Sequence, residues 1–448
     1  MNFKLIALLF LCSVGAVSAQ QKQWTLEECV AYAVDNNLTV EQFELDLQDA
    51  QIDKSDALGA MLPSLNSSIS TAGNTGLSID PITNQPVTTT ILTANGGFTS
   101  GLTLFDGMRN IHRLNRAKLN AIANQYRLDD LKDDIRLQVA LAYLQILSNK
   151  ETLNVFQAQY AVSEQDVKRT KELVDAGVLP RGDLLEIEAT AANLEQQIVN
   201  TENQVLISRI GLAQLLQITD YENFDVVDVD YEIPPSEVSN TSPKEIFAEA
   251  LKFRNDIKFS ESSIDLAVKD LAIAKGARYP TLGTFFNYNT RYSDQGGFDG
   301  SGFVPAESFG NQLWINDGIA YGLRLDIPIF NGFSVSNNIK RSKINIERAK
   351  LQLEQNKLEL ETNINQAYVD VESFSKSFEA AEKTLAARQL AYDYSKERYE
   401  VGLMNAFDFS QAQSRVDNAA ADVVRTKYDY IFRIKVLEFY FGLPMELK

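Results

Sequence analysis

The sequence predicts a mainly α-helical fold with a membrane β-barrel portion. It is a duplicated module of long antiparallel coiled-coil helical hairpins, with four β-strands per chain completing a trimeric twelve-stranded barrel. Three observations lead there: the chain repeats itself, its proline-free stretches carry heptads, and the segments between them alternate apolar and polar residues.

A shift of 225 positions lays Leu104-Phe105-Asp106-Gly107 on Ile329-Phe330-Asn331-Gly332, Ala142-Tyr143 on Ala367-Tyr368, Gly177 on Gly402 and Asp183 on Asp408. Upstream the offset is 217, with Pro63-Ser64-Leu65 on Pro280-Thr281-Leu282 and Glu28 on Glu245. The period is too long for a solenoid, so each copy is a whole helix–strand–strand–long-helix–helix module. The expected divisions are an export signal at 1–19, a first repeat at 20–219, an acidic linker at 220–242 and a second repeat at 243–448.

Taken in order, Lys4, the apolar run Leu5 to Leu11 and the small residues Val17-Ser18-Ala19 read as an export signal. Cys12 follows the bulky Phe10 and Leu11, where a lipid-attachment signal wants small residues. Cleavage leaves one cysteine, Cys29, which excludes a disulfide within the chain. Short helices open the copies near 25–58 and 243–277. Proline is then absent from 87 to 179 and from 329 to 443, and each stretch holds a seven-residue apolar series. The first is Val139, Ile146, Leu153, Tyr160, Val167 and Val174; the second is Ile364, Val371, Phe378, Leu385, Tyr392 and Tyr399. Such series pack as left-handed coiled coils. The long helices should run over 111–176 and 337–401, each about 100 Å at 1.5 Å per residue. Gly177 and Gly402 stop them, and helices over 182–216 and 406–440 return.

Between the helices lie strands of period two. Tyr321, Leu323, Leu325 and Ile327 oppose Gly322, Arg324 and Asp326; Leu282, Thr284, Phe286 and Tyr288 oppose Gly283, Phe285 and Asn287. In the first copy Phe98, Ser100, Leu102 and Leu104 oppose Thr99, Gly101 and Thr103, and Leu65, Ser67 and Ile69 oppose Asn66, Ser68 and Ser70. About ten residues, apolar on one face and polar on the other, is the pattern of transmembrane barrels. The segments 75–90 and 293–311 read as external loops, and Tyr288, Tyr292, Trp314 and Tyr321 as an interfacial belt or ordinary strand composition. Four strands cannot close a barrel, and open edges in lipid leave backbone groups unpaired at several kcal/mol each. A dimer would give eight strands, a size filled by its own side chains; three copies give twelve.

The doubled plan, the strand ends at Leu104-Phe105-Asp106-Gly107 and Ile329-Phe330-Asn331-Gly332, and the tips Gly177-Val178-Leu179 and Gly402-Leu403 together resemble the TolC-type outer-membrane efflux family over essentially the whole mature chain. That resemblance implies a homotrimer in outer-membrane lipid of a Gram-negative cell, with a helical tunnel in the periplasm. The implied function is the passive channel of a tripartite efflux or type I secretion system, meeting a periplasmic adaptor (membrane fusion) protein and an inner-membrane pump of RND or ABC type. It also implies gate residues just past the second tip, where Asp408 takes the first carboxylate position. The next is Gln411, a departure from the family's second carboxylate. Asp183 and Glu186 are the first-copy equivalents. The tip residues Gly177, Val178, Leu179, Gly402, Leu403 and Met404 would meet the adaptor, and Arg324 and Asp326 would line the barrel lumen. An Asp at a helix start is equally a capping residue.

The formal charge of −18 makes the chain a poor partner for nucleic acid, whose phosphates need Lys and Arg. The single histidine, His112, reads as structural; with one mature cysteine it supplies no ordinary zinc site. No phosphate-cradling GxxxxGK[ST] loop is present, and Asp129-Asp130 and Asp133-Asp134 read as solvated helix faces. No catalytic residue, cofactor site or metal site is expected. The alternatives are a soluble periplasmic coiled-coil spacer or adaptor and a surface binding protein. An adaptor usually has one hairpin and an inner-membrane anchor; this chain has two hairpins and no anchor.

Overall fold

A computed structural model describes residues 23–80, 83–228, 231–233, 238, 241–298 and 301–443. In chain order its elements are β1 (Gln23–Trp24), α1 (Leu26–Asn36), α2 (Leu38–Gly59), β2 (Ser64–Ile79), β3 (Pro86–Phe105), α3 (Arg109–Asp175), α4 (Arg181–Leu215) and β4 (Asp225–Val226). The second half holds α5 (Pro243–Phe253), α6 (Asn255–Gly276), β5 (Thr281–Ser293), β6 (Gly297–Phe298), β7 (Phe303–Val304), α7 (Phe309–Ile315), β8 (Gly318–Asp326), α8 (Ser334–Glu400) and α9 (Ala406–Phe441). The expected signal at 1–19, parts of the 220–242 linker and the tail beyond Leu443 lie outside the described residues. No described helix is long and apolar enough to cross a membrane.

Among the described residues, one compact unit falls within 23–45, 126–258 and 354–443 and the other within 46–125 and 259–353. In the first, Thr25 and Ser242 each accept a bond from the backbone of a glutamate three residues on, and Glu28 and Glu245 return it, two capping boxes at the 217 offset. The opening helices expected as single rods are each broken once, at Asn37 and at Arg254, again 217 apart. Asn37 leaves the helical conformation to donate to Leu215 O and to cap Thr39 N–H. Arg254, only 8% exposed, reaches Asp256 (2.9 Å) and Asp130 (3.5 Å) and lies over the rings of Phe439 and Tyr440. Of the aspartates expected on solvated faces, Asp130 therefore pairs with a buried guanidinium, while Asp133 bonds Arg136 and Asn255 and Asp134 stays exposed. Burial is the larger influence on Asp130 and pushes its carboxyl up to about 6.

Both long helices run 67 residues, about 100 Å at 1.5 Å per residue. All twelve heptad residues are buried or half-buried. Asn149 donates to Gln204 O and Ser208 Oγ, so α4 lies back along α3; the Arg433–Asp370 pair does the same for α9 and α8. Val139, Tyr143 and Ile146 are fully buried, and the Tyr143 hydroxyl reaches Trp24 O and Val227 O, beside the β1–β4 pair.

The second unit holds a four-stranded antiparallel sheet in the order β2-β3-β5-β8. Its first two strands are 16 and 20 residues long, well beyond the expected ten. The segment 75–90 is thus mostly strand, because β-branched Thr88, Thr89 and Thr90 pair across to Leu77, Gly76 and Thr75. The segment 293–311 likewise holds the β6–β7 pair and the start of α7. Phe285, out of place on a polar face, lies with its ring 3.0 Å from where Gly322 would carry a Cβ, so the aromatic covers a glycine. Where sheet meets helix, Gly107 and Met108 in one copy and Gly332 and Phe333 in the other take positive φ. A Cβ on Gly276 would stand 2.6 Å from Gly107 O, a contact only glycine allows.

Candidate functional site at the helix tips

α3 and α8 end alike. Gly177 and Gly402 take φ of +75° and +76°, and Val178 N–H and Leu403 N–H reach back to Leu173 O (2.9 Å) and Arg398 O (2.8 Å). These bonds satisfy carbonyls the helix leaves open. Val178 and Leu403 are 66% and 70% exposed. The structure brings the tips together: Leu173, Val178 and Leu179 share a cleft of about 290 Å³ with Tyr399, Val401, Gly402 and Phe409. Met404 is half-buried against a core cluster that includes Ile187, Tyr392, Ala406 and Phe409.

Asn405 caps α9. Its Oδ1 accepts Asp408 N–H at 2.8 Å and its Nδ2 donates to Asp408 Oδ2 at 3.1 Å. Asp408 is exposed in the first turn, where a carboxylate also favours the helix dipole. Gln411 is exposed and accepts from Arg415. Asp183 and Glu186 are half-buried in the first turns of α4, which opens on Pro180 with no side-chain cap. In the sheet, Arg324 and Asp326 pair with Gly283 and Thr281. That register puts them on the face of Phe285 and Asn287, opposite the face of Leu323 and Leu325.

Sequence reasoning missed what joins the two copies here. Arg169 on α3 pairs with Glu400 on α8 at 2.5 Å, and Thr170 Oγ1 and Tyr399 Oη lie 3.5 Å apart. The Phe409 ring is sandwiched by Tyr399 (centroids 4.7 Å, planes 2° apart) and Tyr392 (5.6 Å). Away from the tip the core turns polar. Ser410, Gln413 and Asp417 of α9 and Ser163 of α3 are buried. Gln159 Oε1, Ser163 Oγ, Asp166 Oδ2, Tyr392 Oη, Ser410 Oγ and Gln413 Oε1 find no hydrogen-bond partner among the described residues. Asp417 is 5% exposed, and burial pushes its carboxyl up to about 7. Burial also raises Asp166, beside Lys396 and Arg169. A cavity of about 620 Å³ lined by Gln159, Leu385, Tyr392, Gln413, Val416 and Asp417 opens here. The signal was present: 410, 417, 424 and 431 form a heptad of α9 whose first two members are polar. Polar groups at core positions reduce coiled-coil stability.

Among the described residues no three His, Cys, Asp or Glu cluster as metal ligands. Cys29 is a buried free thiol.

The model of the outer membrane efflux protein family matches residues 31–216 and 246–442, once in each copy. The outer membrane efflux protein BepC of Brucella suis is 20% identical over 352 residues, covering 77% of this chain and 71% of that protein. In structure, the CmeC outer membrane channel of Campylobacter jejuni matches with a TM-score of 0.73 at 17% identity, over 93% of this chain and 85% of that one. The outer membrane protein VceC of Vibrio cholerae matches at 0.75 and 15% identity, over 94% and 97%. That family is one of channel proteins, and with its model met across most of both copies this chain belongs to the outer membrane efflux protein family, as a TolC-type channel component in the outer membrane.

Proposed function

We propose that three copies of the chain form a passive duct from periplasm to exterior, the outer-membrane channel of a tripartite efflux or type I secretion system. An adaptor protein meets its tips, and an inner-membrane pump of RND or ABC type supplies energy and choice of cargo. The repeats at 20–219 and 243–448 each give two strands and one helical hairpin, with 220–242 between them. The observation that carries this reading is the sheet: four strands, one face of exposed Leu65, Ile69, Tyr321, Leu323 and Leu325, an opposite face of Asn, Ser and Gly with Arg324 and Asp326, and two edges unpaired among the described residues. Twelve such strands enclose a polar lumen behind an apolar band.

The tips fit a gate. Exposed Val178, Val401 and Leu403 offer an adaptor apolar contact, and the unpartnered polar core beside them lowers the cost of parting the helices, since water satisfies those groups on opening. Asp408, and through the repeat Asp183 and Glu186, would put carboxylates at the entrance; a threefold ring at Asp408 focuses negative potential on entering cations. Planar-bilayer recording of purified protein tests both layers of the proposal. Cation-selective current steps are expected, with selectivity reduced in Asp408→Ala. Steps of unaltered selectivity remove Asp408 from the entrance; protein recovered as a soluble monomer removes the channel reading.

A further inference from the structure

The segment between β5 and β8 does not simply loop free, because α7 folds back onto the sheet. Gln312, 8% exposed, donates from Nε2 to Ser293 O and Glu307 O (both 2.8 Å) and accepts Ser293 N–H at Oε1 (3.0 Å). Thr290 Oγ1 donates to Leu313 O (2.8 Å) and Asn316 Nδ2 to Arg291 O (3.0 Å), while the Phe309 ring meets Tyr292 edge-on at 5.1 Å. A helix of seven residues does not hold itself together in isolation; these pins hold it.

The face it covers is decisive. Strand register places Thr290 and Tyr292 with Tyr288, Phe98 and Ile69 on the apolar side of the sheet, the side of Tyr321 and Leu323, and not on the side of Arg324. Tyr292 is thereby taken out of any exposed belt, and Trp314 takes its place at 79% exposure, flanked by Ile315 at 64%. Between helix and sheet lies a cleft of about 250 Å³ walled by Ile69, Phe98, Tyr288, Phe309 and Leu313. From Leu282, at the helix-domain end of β5, to Tyr292 the strand climbs about 25 Å for a tilt near 40°, the height of a barrel's apolar band. α7 therefore stands level with the outer rim of that band. None of its seven residues is charged, so it offers apolar contact and no phosphate recognition.

We infer that α7 is a lipid-docking helix, whose exposed Trp314 and underlying cleft take acyl chains of outer-leaflet lipids at the membrane–water boundary. This rests on the sheet forming a membrane barrel, as proposed above. It is continuous with the apolar sheet face, and tryptophan favours that boundary.

The chain has two tryptophans, Trp24 and Trp314, and Trp24 is packed in the other unit against Tyr32 and Phe224. Full-length protein is reconstituted into phosphatidylcholine vesicles brominated at shallow or deep acyl positions. Wild type minus Trp314→Phe isolates the Trp314 emission. Shallow bromines should quench it by roughly half, more than deep ones, with little quenching by aqueous acrylamide. Gln312→Ala, which removes the main pins, should lessen that quenching; unchanged quenching there overturns the docking role of the helix. Quenching by acrylamide alone places Trp314 in water, and quenching by neither places it against a second copy; both overturn the inference. Protein that floats with vesicles but gives those results leaves the barrel standing, whereas protein that does not float overturns barrel and inference together.

Discussion

Asp417 is a carboxylate at a coiled-coil core position with a raised pKa of about 7, and its consequence for stability has a definite sign. Above its ordinary value of 3.8 the unfolded chain has released the proton that the folded chain still holds, so stability falls as pH rises from 3.8 to about 7 and stays lowered beyond. Asp130 acts in the same direction between 3.8 and about 6, with Arg254 opposing the shift. Glu382 and Tyr392 are the other titratable groups lining the cavity beside Asp417. Asp417→Asn should therefore raise stability at pH 8 by on the order of 2 kcal/mol and change it little at pH 4. Thermal melts of the helical circular dichroism at the two pH values check this, and an equal gain at both would assign the effect to packing rather than charge. Sequence showed Asp417 in its heptad, but its isolation depends on what α3 and α8 bring opposite. The Arg254 node was illegible for a related reason, since Asp130 lies far away in sequence and on another helix.

At the scale of elements, what repeats locally was legible: heptads gave both long helices, glycines gave both stops, and alternation gave all four strands of the sheet. What long-range pairing decides was not. The threonines of 75–90 look like loop until β2 and β3 pair, and α7 shows no periodicity over its single pair of turns. At the tips, the candidate carboxylate Asp408 bonds the Asn405 cap, a contact the sequence did not specify, while the tie between α3 and α8 went unread. An exposed pair such as Arg169–Glu400 contributes about 0–1 kcal/mol between α3 and α8; Tyr399 touches Thr170 of α3 and also stacks on Phe409 inside the second hairpin, a stack of about 0.5–1.5 kcal/mol. Glu400→Gln alone should therefore increase open-channel events in a bilayer only slightly. The double variant Glu400→Gln, Tyr399→Ala should increase them about tenfold, the factor for roughly 1.4 kcal/mol. A double variant as quiet as wild type would mean that these contacts do not hold the tip closed.

For the whole molecule the controlling feature is the pair of bare sheet edges. β2 offers sixteen residues and β8 nine, each unpaired on its outer side among the described residues. In lipid every unpaired backbone group costs several kcal/mol, so in the barrel proposed above β8 of one copy meets β2 of the next. The isolated chain also exposes a heptad stripe on α4, Leu185, Ala192, Val199 and Leu206, and another on α8, Ile344, Leu351 and Leu358. Apolar heptads left on the outside of a chain need a partner helix. Edge pairing and helix packing thus call for the same association, in the membrane and outside it. Two copies would close only eight strands, a barrel that side chains fill, so three is the smallest number that leaves a duct. Light scattering of the detergent-extracted protein should return the mass of three chains. Replacing Val199 and Leu206 together by glutamate should loosen the complex while the four strands still pair within each chain. A two-chain mass would remove the open duct, and a trimer indifferent to both glutamates would leave the strand edges alone to hold it.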